Sequence, residues 1–234
     1  MRTVIVTDVP RPPLTDLDAL APLGVATVHE ALGRTGYLGP SLRPVQAGAS
    51  IAGSAVTALC WPGDNLMIHA AIEQCGPGDV LVVTTTSPCT DGLFGELFAT
   101  ALQYRGVRGV VTTTGVRDSA QLRAMGFPAW SAAVSAQGTV KATAGAVNVP
   151  VTVGGQVVRP GDAVLADDDG VMVVARSQVS AALEAARARV AKEEASRAAF
   201  RSGELGLDRY GMRPLLDKLG VQYVTAEEYG QGER

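Results

Sequence analysis

The chain has 234 residues, of which 47% are hydrophobic, enough for one generous domain or a domain with a helical tail. A net charge of −3 and an aromatic content of 5% argue against the basic stripe and stacking platforms of a nucleic-acid binder. No apolar run reaches the roughly 20 residues that span a bilayer. The opening residues, MRTVIVTDVPRPP, lack the pattern of a secretory signal, so a cytoplasmic protein with no membrane partner is expected. Residues 17–32 carry helical spacing, with Gly33 as a natural stop. Residues 50–60 alternate as a strand and end at Trp61-Pro62-Gly63. A helix is predicted over 66–74 and a buried strand over 80–84. A Ser/Pro/Thr-rich loop then leads to Gly92-Leu93-Phe94-Gly95 and a helix over 96–104. The strand predicted over 107–112 leads into Gly115-Val116-Arg117-Asp118, followed by a short helix over 119–125 and a short strand over 128–130.

Beyond Lys141 the texture changes to short strands over 147–153, 156–158, 163–166 and 171–175, separated by Gly, Pro and Asp turns. A long helix is expected over 177–201, and one more short helix with an extended tail over 208–224. Two βα units flanked by antiparallel strands predict an α/β domain with a mixed sheet over 1–176. The Ala- and charge-rich segment 177–234 reads as a projecting helical arm of the kind that docks on a neighbouring subunit.

Two places could bind an anion. Gly95-Glu96-Leu97-Phe98 opens a helix, so its first backbone N–H groups are free at the positive end of the helix dipole. Arg117 and Asp118 follow a buried strand, and ligands of open α/β sheets collect beyond the carboxyl ends of strands. Arg117 offers a planar fork for a carboxylate or enolate oxygen, and Asp118 a hard oxygen ligand for magnesium or manganese. Each element also has a bland reading, a surface turn with a local ion pair and an ordinary helix start. Asp64 or Asn65 reads as a cap of the next helix. His29 and His69 read as structural histidines, Cys89 as a bystander, and Asp167-Asp168-Asp169-Gly170 as a hairpin turn rather than a calcium loop. The odd count of Cys60, Cys75 and Cys89 fits neither a disulfide framework nor metal spacing.

Several longer runs resemble one family. PGDNLMIHAAIEQCGPGDVLVV (62–83), SPCTDGLFGELFAT (87–100), RGVRGVV with GVRD (105–118), MGFPAWS with AQGTVK (125–141) and the stretch 148–174 are similar to the 4-hydroxy-4-methyl-2-oxoglutarate and 4-carboxy-4-hydroxy-2-oxoadipate aldolases. These belong to the wider family of the regulator of ribonuclease activity A. The tail KEEASRAAFRSGELGLDRYGMR (192–213) resembles the aldolases in particular. The resemblance implies a swivelling β/β/α-type fold, homotrimers or homohexamers with sites between subunits, and divalent-metal-dependent cleavage of a small 2-oxo acid to pyruvate. An oxaloacetate decarboxylase side activity is implied as well. By the same resemblance Gly95, Glu96, Leu97 and Phe98 would bind the pyruvoyl carboxylate through backbone amides. Arg117 would hold the 2-oxo group, Asp118 the magnesium or manganese ion, and Glu96 a water on that ion. Glu193 or Glu194 would arrive from an adjacent subunit. Thr113 stands where the family often carries an acidic residue. Lys141, Lys192 and Lys218 are expected outside the strand-end crevice, which disfavours a Schiff-base route.

Overall fold

The structure is a computed structural model in which residues 2–231 are described. The chain divides into two compact units, Met1–Ala188 and Arg189–Arg234, and the division falls within a long helix.

The first unit opens with α1 (Leu14–Leu20), a single 3-10 turn (Ala21–Leu23) and α2 (Val25–Ala31). The single helix expected over 17–32 is therefore broken. Pro22 cannot donate to the preceding turn, and Gly24 adopts φ 81° and ψ 149°, an extended excursion open to glycine. Asp167 then caps the restarted helix, its carboxylate accepting from the Val25 N–H at 2.7 Å. There follow β1 (Arg43–Pro44), β2 (Ile51–Cys60), α3 (Leu66–Gln74), β3 (Asp79–Thr85), β4 (Gly92–Phe94) and α4 (Glu96–Tyr104). Next come β5 (Gly109–Val116), α5 (Ser119–Ala124), β6 (Ala129–Val134), β7 (Ala146–Val147), β8 (Val151–Val153), β9 (Gln156–Val158), β10 (Ala163–Asp167) and β11 (Gly170–Val174). The strand expected over 147–153 is interrupted at Asn148-Val149-Pro150, where Asn148 takes φ 54° and Pro150 offers no N–H to a ladder. The Asp167–Gly170 hairpin forms as expected, β10 and β11 pairing across a two-residue turn.

Among the described residues, nine strands form one mixed sheet in the order β1-β6-β5-β3-β2-β10-β11, with β4 beside β5 and β7 beside β2. The central strands β6, β5, β3 and β2 are parallel, so all four carboxyl ends open on one edge. Side chains alternate across this sheet as a period of two requires. Leu81 and Val83 of β3 pack with Ile68 of α3 and Leu102 of α4 on one face. Val80 and Val82 pack with Trp130, Val153 and Val164 on the other. A third cluster joins α1, α2 and the start of α6 (Val179–Arg201) to β10 and β11 through Leu17, Leu20, Leu165, Met172 and Ala182. Burial on both faces explains why β3 reads as a continuous apolar run; β2, expected to alternate, is buried on both faces as well.

The second unit holds the remainder of α6, α7 (Gly206–Arg209), α8 (Arg213–Lys218) and α9 (Ala226–Gln231). Its own contacts are light: Phe200 meets Tyr210 edge-on at 6.1 Å, and Arg209 Nε donates to Ser196 Oγ at 3.0 Å. Within this chain Glu193 pairs with Arg189 at 2.8 Å, and Glu194 with Arg197.

Candidate active site

The parallel core strands place four loops on one edge. Trp61–Asn65 follows β2, Thr86–Asp91 follows β3, Arg117-Asp118 follows β5, and residues 135–141 follow β6. The short strand β4 inserts beside β5 and delivers Gly95 to the head of α4. Gly92–Phe94 is a strand where a loop is expected: three residues carry too little pattern to show one, and the pairing with Gly115 and Val116 is tertiary.

Arg117 and Asp118 meet the head of α4 directly. The Arg117 N–H donates to Phe94 O at 2.8 Å, fixing the end of β5 against β4. Asp118 Oδ2 accepts from the Glu96 N–H at 3.2 Å and lies 3.5 Å from Arg117 Nε. Asp118 holds this position in a left-handed conformation, φ 55° and ψ 36°. Aspartate tolerates that region better than most residues, and strain of this kind, about 1–3 kcal/mol, gathers at functional sites. The side chains remain reachable, at 44% exposure for Arg117 and 39% for Asp118. The close approach explains Gly95: a Cβ there would lie 2.5 Å from Asp118 Oδ2 and 2.9 Å from Arg117 Cγ.

The two strand-end elements expected to share a crevice are thus in contact. Their amide cradle differs in one respect from the expectation. The Glu96 N–H is taken by Asp118, so the N–H groups of Leu97 and Phe98, ahead of the first helical bond from Ala99 to Gly95 O, are the pair left for a ligand. Glu96 is half-buried, and its Oε1 accepts from Thr100 Oγ1 at 2.7 Å, which orients the carboxylate along the helix flank.

A cleft of about 160 Å³ lies against Arg117, bounded by Gly95, Leu97 and Phe98 on one side and by Asn65, His69 and Lys141 on the other. Lys141 is therefore not outside the crevice. The loop after β6 runs back across β4, where Gly92 N–H donates to Gln137 O at 2.9 Å, and reaches the start of α3. His69 is an exposed residue of this cleft, not a packed core histidine; its ring meets Phe98 edge-on at 4.6 Å. Burial, and then the charge of Lys141, hold its imidazole below the ordinary histidine range. His29 sits half-buried against Tyr37, its ring 5.8 Å away.

Asp64 is the staple that carries Lys141 to the cleft. Its Oδ1 accepts from Leu66 N–H at 2.9 Å, which opens α3 as a cap would. Its Oδ2 accepts from Ala142 N–H and Thr143 N–H at 2.8 and 2.7 Å. Burial pushes this carboxyl up, but the three amides outweigh it and hold it below the usual carboxylate range. A carboxyl lowered by folding stabilises the fold fully above its unfolded value, near 3.9, and loses that contribution as pH falls through the lowered value. Asp64→Ala is expected to cost at least ~2 kcal/mol at pH 7, the scale of losing hydrogen bonds to a charged group. The gap from the parent should narrow below about pH 4; thermal denaturation of both proteins across pH checks it.

Cys60 and Cys75 are free and buried, and burial pushes both thiols up to about 12, which leaves them inert. Cys89 is half-buried and lines an open, hydroxyl-rich hollow with Thr84, Thr86, Ser87 and Thr113. Thr113 shares a hydrogen bond of 2.9 Å with Thr84, so the position where the resembled family often has an acid is closed into a neutral pair.

No group of three or more metal-ligating side chains occurs among the described residues. A caged metal does not fit. A largely hydrated magnesium or manganese ion does, since it needs only one or two carboxylates, and Asp118 presents a part-exposed one. No helix among the described residues is long and apolar enough to cross a membrane.

The profile of the RraA-like family, described as Aldolase/RraA, matches residues 25–173. A Burkholderia multivorans protein provisionally named 4-hydroxy-4-methyl-2-oxoglutarate aldolase is 38% identical over 147 residues, covering 63% of this chain and 89% of that protein. A Halalkalibacterium halodurans protein of the same provisional name is 28% identical over 183 residues, covering 78% and 87%. The crystal structure of Streptomyces coelicolor RraAS2, an unusual member of the RNase ES inhibitor RraA protein family, superposes with a TM-score of 0.72. It is 29% identical and covers 80% of this chain and 98% of its own.

Proposed function

The chain belongs to the Aldolase/RraA family, and from that premise we propose that it is a divalent-metal-dependent lyase acting on 4-hydroxy-4-methyl-2-oxoglutarate or 4-carboxy-4-hydroxy-2-oxoadipate. The products are pyruvate and a second 2-oxo acid. The observation that carries this reading is the contact between Arg117, Asp118 and the head of α4 beside a small cleft that Arg117 lines.

The Leu97 and Phe98 amides hold the pyruvoyl carboxylate at the positive end of α4. Arg117 directs its guanidinium at the 2-oxo group, where negative charge grows as the C3–C4 bond breaks and the electron pair passes into the enolate. A magnesium or manganese ion held by Asp118 supplies Lewis-acid polarisation of the same oxygen when bound. A water organised by Glu96, itself oriented by Thr100, accepts the proton of the 4-hydroxyl as that oxygen becomes the carbonyl of the departing product. The enolate then takes a proton at C3 from the same water, which gives pyruvate and returns the base to its starting state. Decarboxylation of oxaloacetate generates the same enolate and follows as a side activity. Assembly as a homotrimer or homohexamer, with the arm of residues 177–234 lying on a neighbour and Glu193 or Glu194 reaching its site, completes the reading.

Coupling pyruvate release to lactate dehydrogenase tests it, with the tertiary-alcohol diacid beside oxaloacetate. Release that depends on added magnesium or manganese and stops with a chelator is expected. A protein that releases no pyruvate from either acid, yet inhibits a ribonuclease by docking, would instead fit the regulatory role named for the Streptomyces relative.

A further inference from the structure

Arg117 is the partition between two hollows. The cleft that Gly95, Leu97 and Phe98 line is on one side of it. On the other is an open hollow of about 360 Å³, bounded by Arg117, Asp118, Val134, Ser135 and Ala136. Asp118 borders only the second, whereas Leu97 and Phe98 border only the first. An acid with its carboxylate at the head of α4 and its 2-oxo group between Arg117 and Asp118 therefore crosses from one to the other. Its C3–C4 bond and the oxygen on C4 then fall in the second hollow, where the hydroxyl side chain is that of Ser135. Ser135 is part-buried and firmly placed. Its N–H donates to Val116 O at 2.9 Å, which fastens the loop after β6 to the end of β5, one residue before Arg117. Two glycines admit it. A Cβ at Gly115 would lie 3.0 Å from Ser135 Cβ, and one at Gly92 would lie 2.4 Å from Ser135 O. The Ser135 Oγ accepts from the Gln137 N–H at 3.2 Å, which sets the direction of the side chain. That bond uses a lone pair and leaves the hydroxyl proton, for which no acceptor stands among the described residues.

We propose that Ser135 is a further catalytic residue, donating a hydrogen bond to the oxygen on C4 of the substrate, an inference that rests on the lyase reading of this edge. As the 4-hydroxyl gives up its proton, that oxygen carries growing negative charge. The charge is relieved only when the carbonyl forms and the C3–C4 electron pair leaves. A donor already held beside it lowers the barrier, as any preorganised donor at a developing oxyanion does. Ser135 itself forms no covalent bond and transfers no proton. Oxaloacetate supplies the contrast. Its C4 is the carboxylate that departs as carbon dioxide, and charge on those oxygens falls as the bond breaks. A donor there is no stronger in the transition state than before it, so it does not speed decarboxylation.

Pyruvate release from 4-hydroxy-4-methyl-2-oxoglutarate and from oxaloacetate, measured side by side with magnesium, separates the outcomes. Ser135→Ala should lower kcat/KM for the first by about 10–100-fold, the scale of one hydrogen bond to a charged oxygen, and leave the second near the parent's. Ser135→Thr keeps the hydroxyl and should retain most of the cleavage. Equilibrium binding of pyruvate, which has no fourth carbon, should be the same in the parent and in Ser135→Ala. Equal losses on both acids, or weakened pyruvate binding, would mean that Ser135 merely supports the Arg117 loop and would overturn this assignment alone. So would unchanged cleavage in Ser135→Ala, or a Thr variant as slow as the Ala variant. A parent protein that acts on oxaloacetate only would remove the 4-oxygen from its chemistry, and this role with it. One that releases pyruvate from neither acid would overturn the lyase reading itself.

Discussion

Arg117→Ala and Asp118→Ala are each expected to lower kcat/KM for pyruvate release by about 10²–10³, the scale seen when one preorganised group facing a developing oxyanion is removed. The two should fail differently. Asp118→Asn keeps a residue that tolerates the left-handed backbone at φ 55° and can still accept from Glu96 N–H, but it lacks the charge to hold a divalent ion. Its thermal stability should therefore stay near the parent's while its metal dependence is lost. Arg117→Lys keeps the charge and loses the planar fork, so it should recover little. Cys89→Ala serves as the control and should retain full turnover, because its hollow is lined by hydroxyl side chains and none of the proposed catalytic groups. Steady-state kinetics with titrated magnesium, beside thermal melts, separate these outcomes. Near-normal rates from Asp118→Ala in chelator-treated buffer would contradict the scheme.

Gly95→Ala is expected to cost about 10²-fold in kcat/KM, although no catalytic side chain is altered. The added methyl would lie 2.5 Å from Asp118 Oδ2 and 2.9 Å from Arg117 Cγ, so both must move away from the head of α4. Displacements near 1 Å at a reacting centre carry penalties of that order. The glycine backbone here is extended, at φ −155°, so alanine meets no conformational strain and the fold should persist. A melting temperature close to the parent's with a collapsed kcat is the predicted pairing. An unchanged kcat would mean that the Arg117–Asp118 contact with α4 is not the working geometry.

Much of this architecture is visible in the chain itself. The helices at 66–74 and 96–104 stand where apolar spacing and flanking Gly and Pro residues put them, because local propensity and tertiary burial agree there. Arg117 and Asp118 were legible as a strand-end pair, and parallel pairing of β3 with β5 makes that placement a shared edge. Three things were not legible. The break between α1 and α2 depends on Pro22 and Gly24 overriding an otherwise helical apolar pattern. The strand β4 is set by pairing with β5 and has no periodicity of its own to detect. The place of Lys141 inside the cleft, rather than outside it as expected, depends on β6 continuing past the predicted Pro128–Trp130 to Val134. A strand that ends at Val134 sends its loop along the same carboxyl edge as the Arg117 loop, and the signal for Lys141 was that loop's length rather than its residues. Asp64 was correctly suspected of opening α3, yet its second oxygen, which binds a segment nearly eighty residues away, lies beyond any local pattern.

A divalent ion on Asp118, the guanidinium of Arg117 and the free amides of Leu97 and Phe98 are expected to converge on one small acid. A crystal soaked with manganese and pyruvate tests it most directly, through anomalous scattering at the metal. Anomalous density within coordination distance of the Asp118 carboxylate is predicted. Pyruvate should lie with its carboxylate at the head of α4 and its oxo group toward Arg117. Manganese bound elsewhere, or a well-ordered pocket that stays empty at saturating pyruvate, would contradict it.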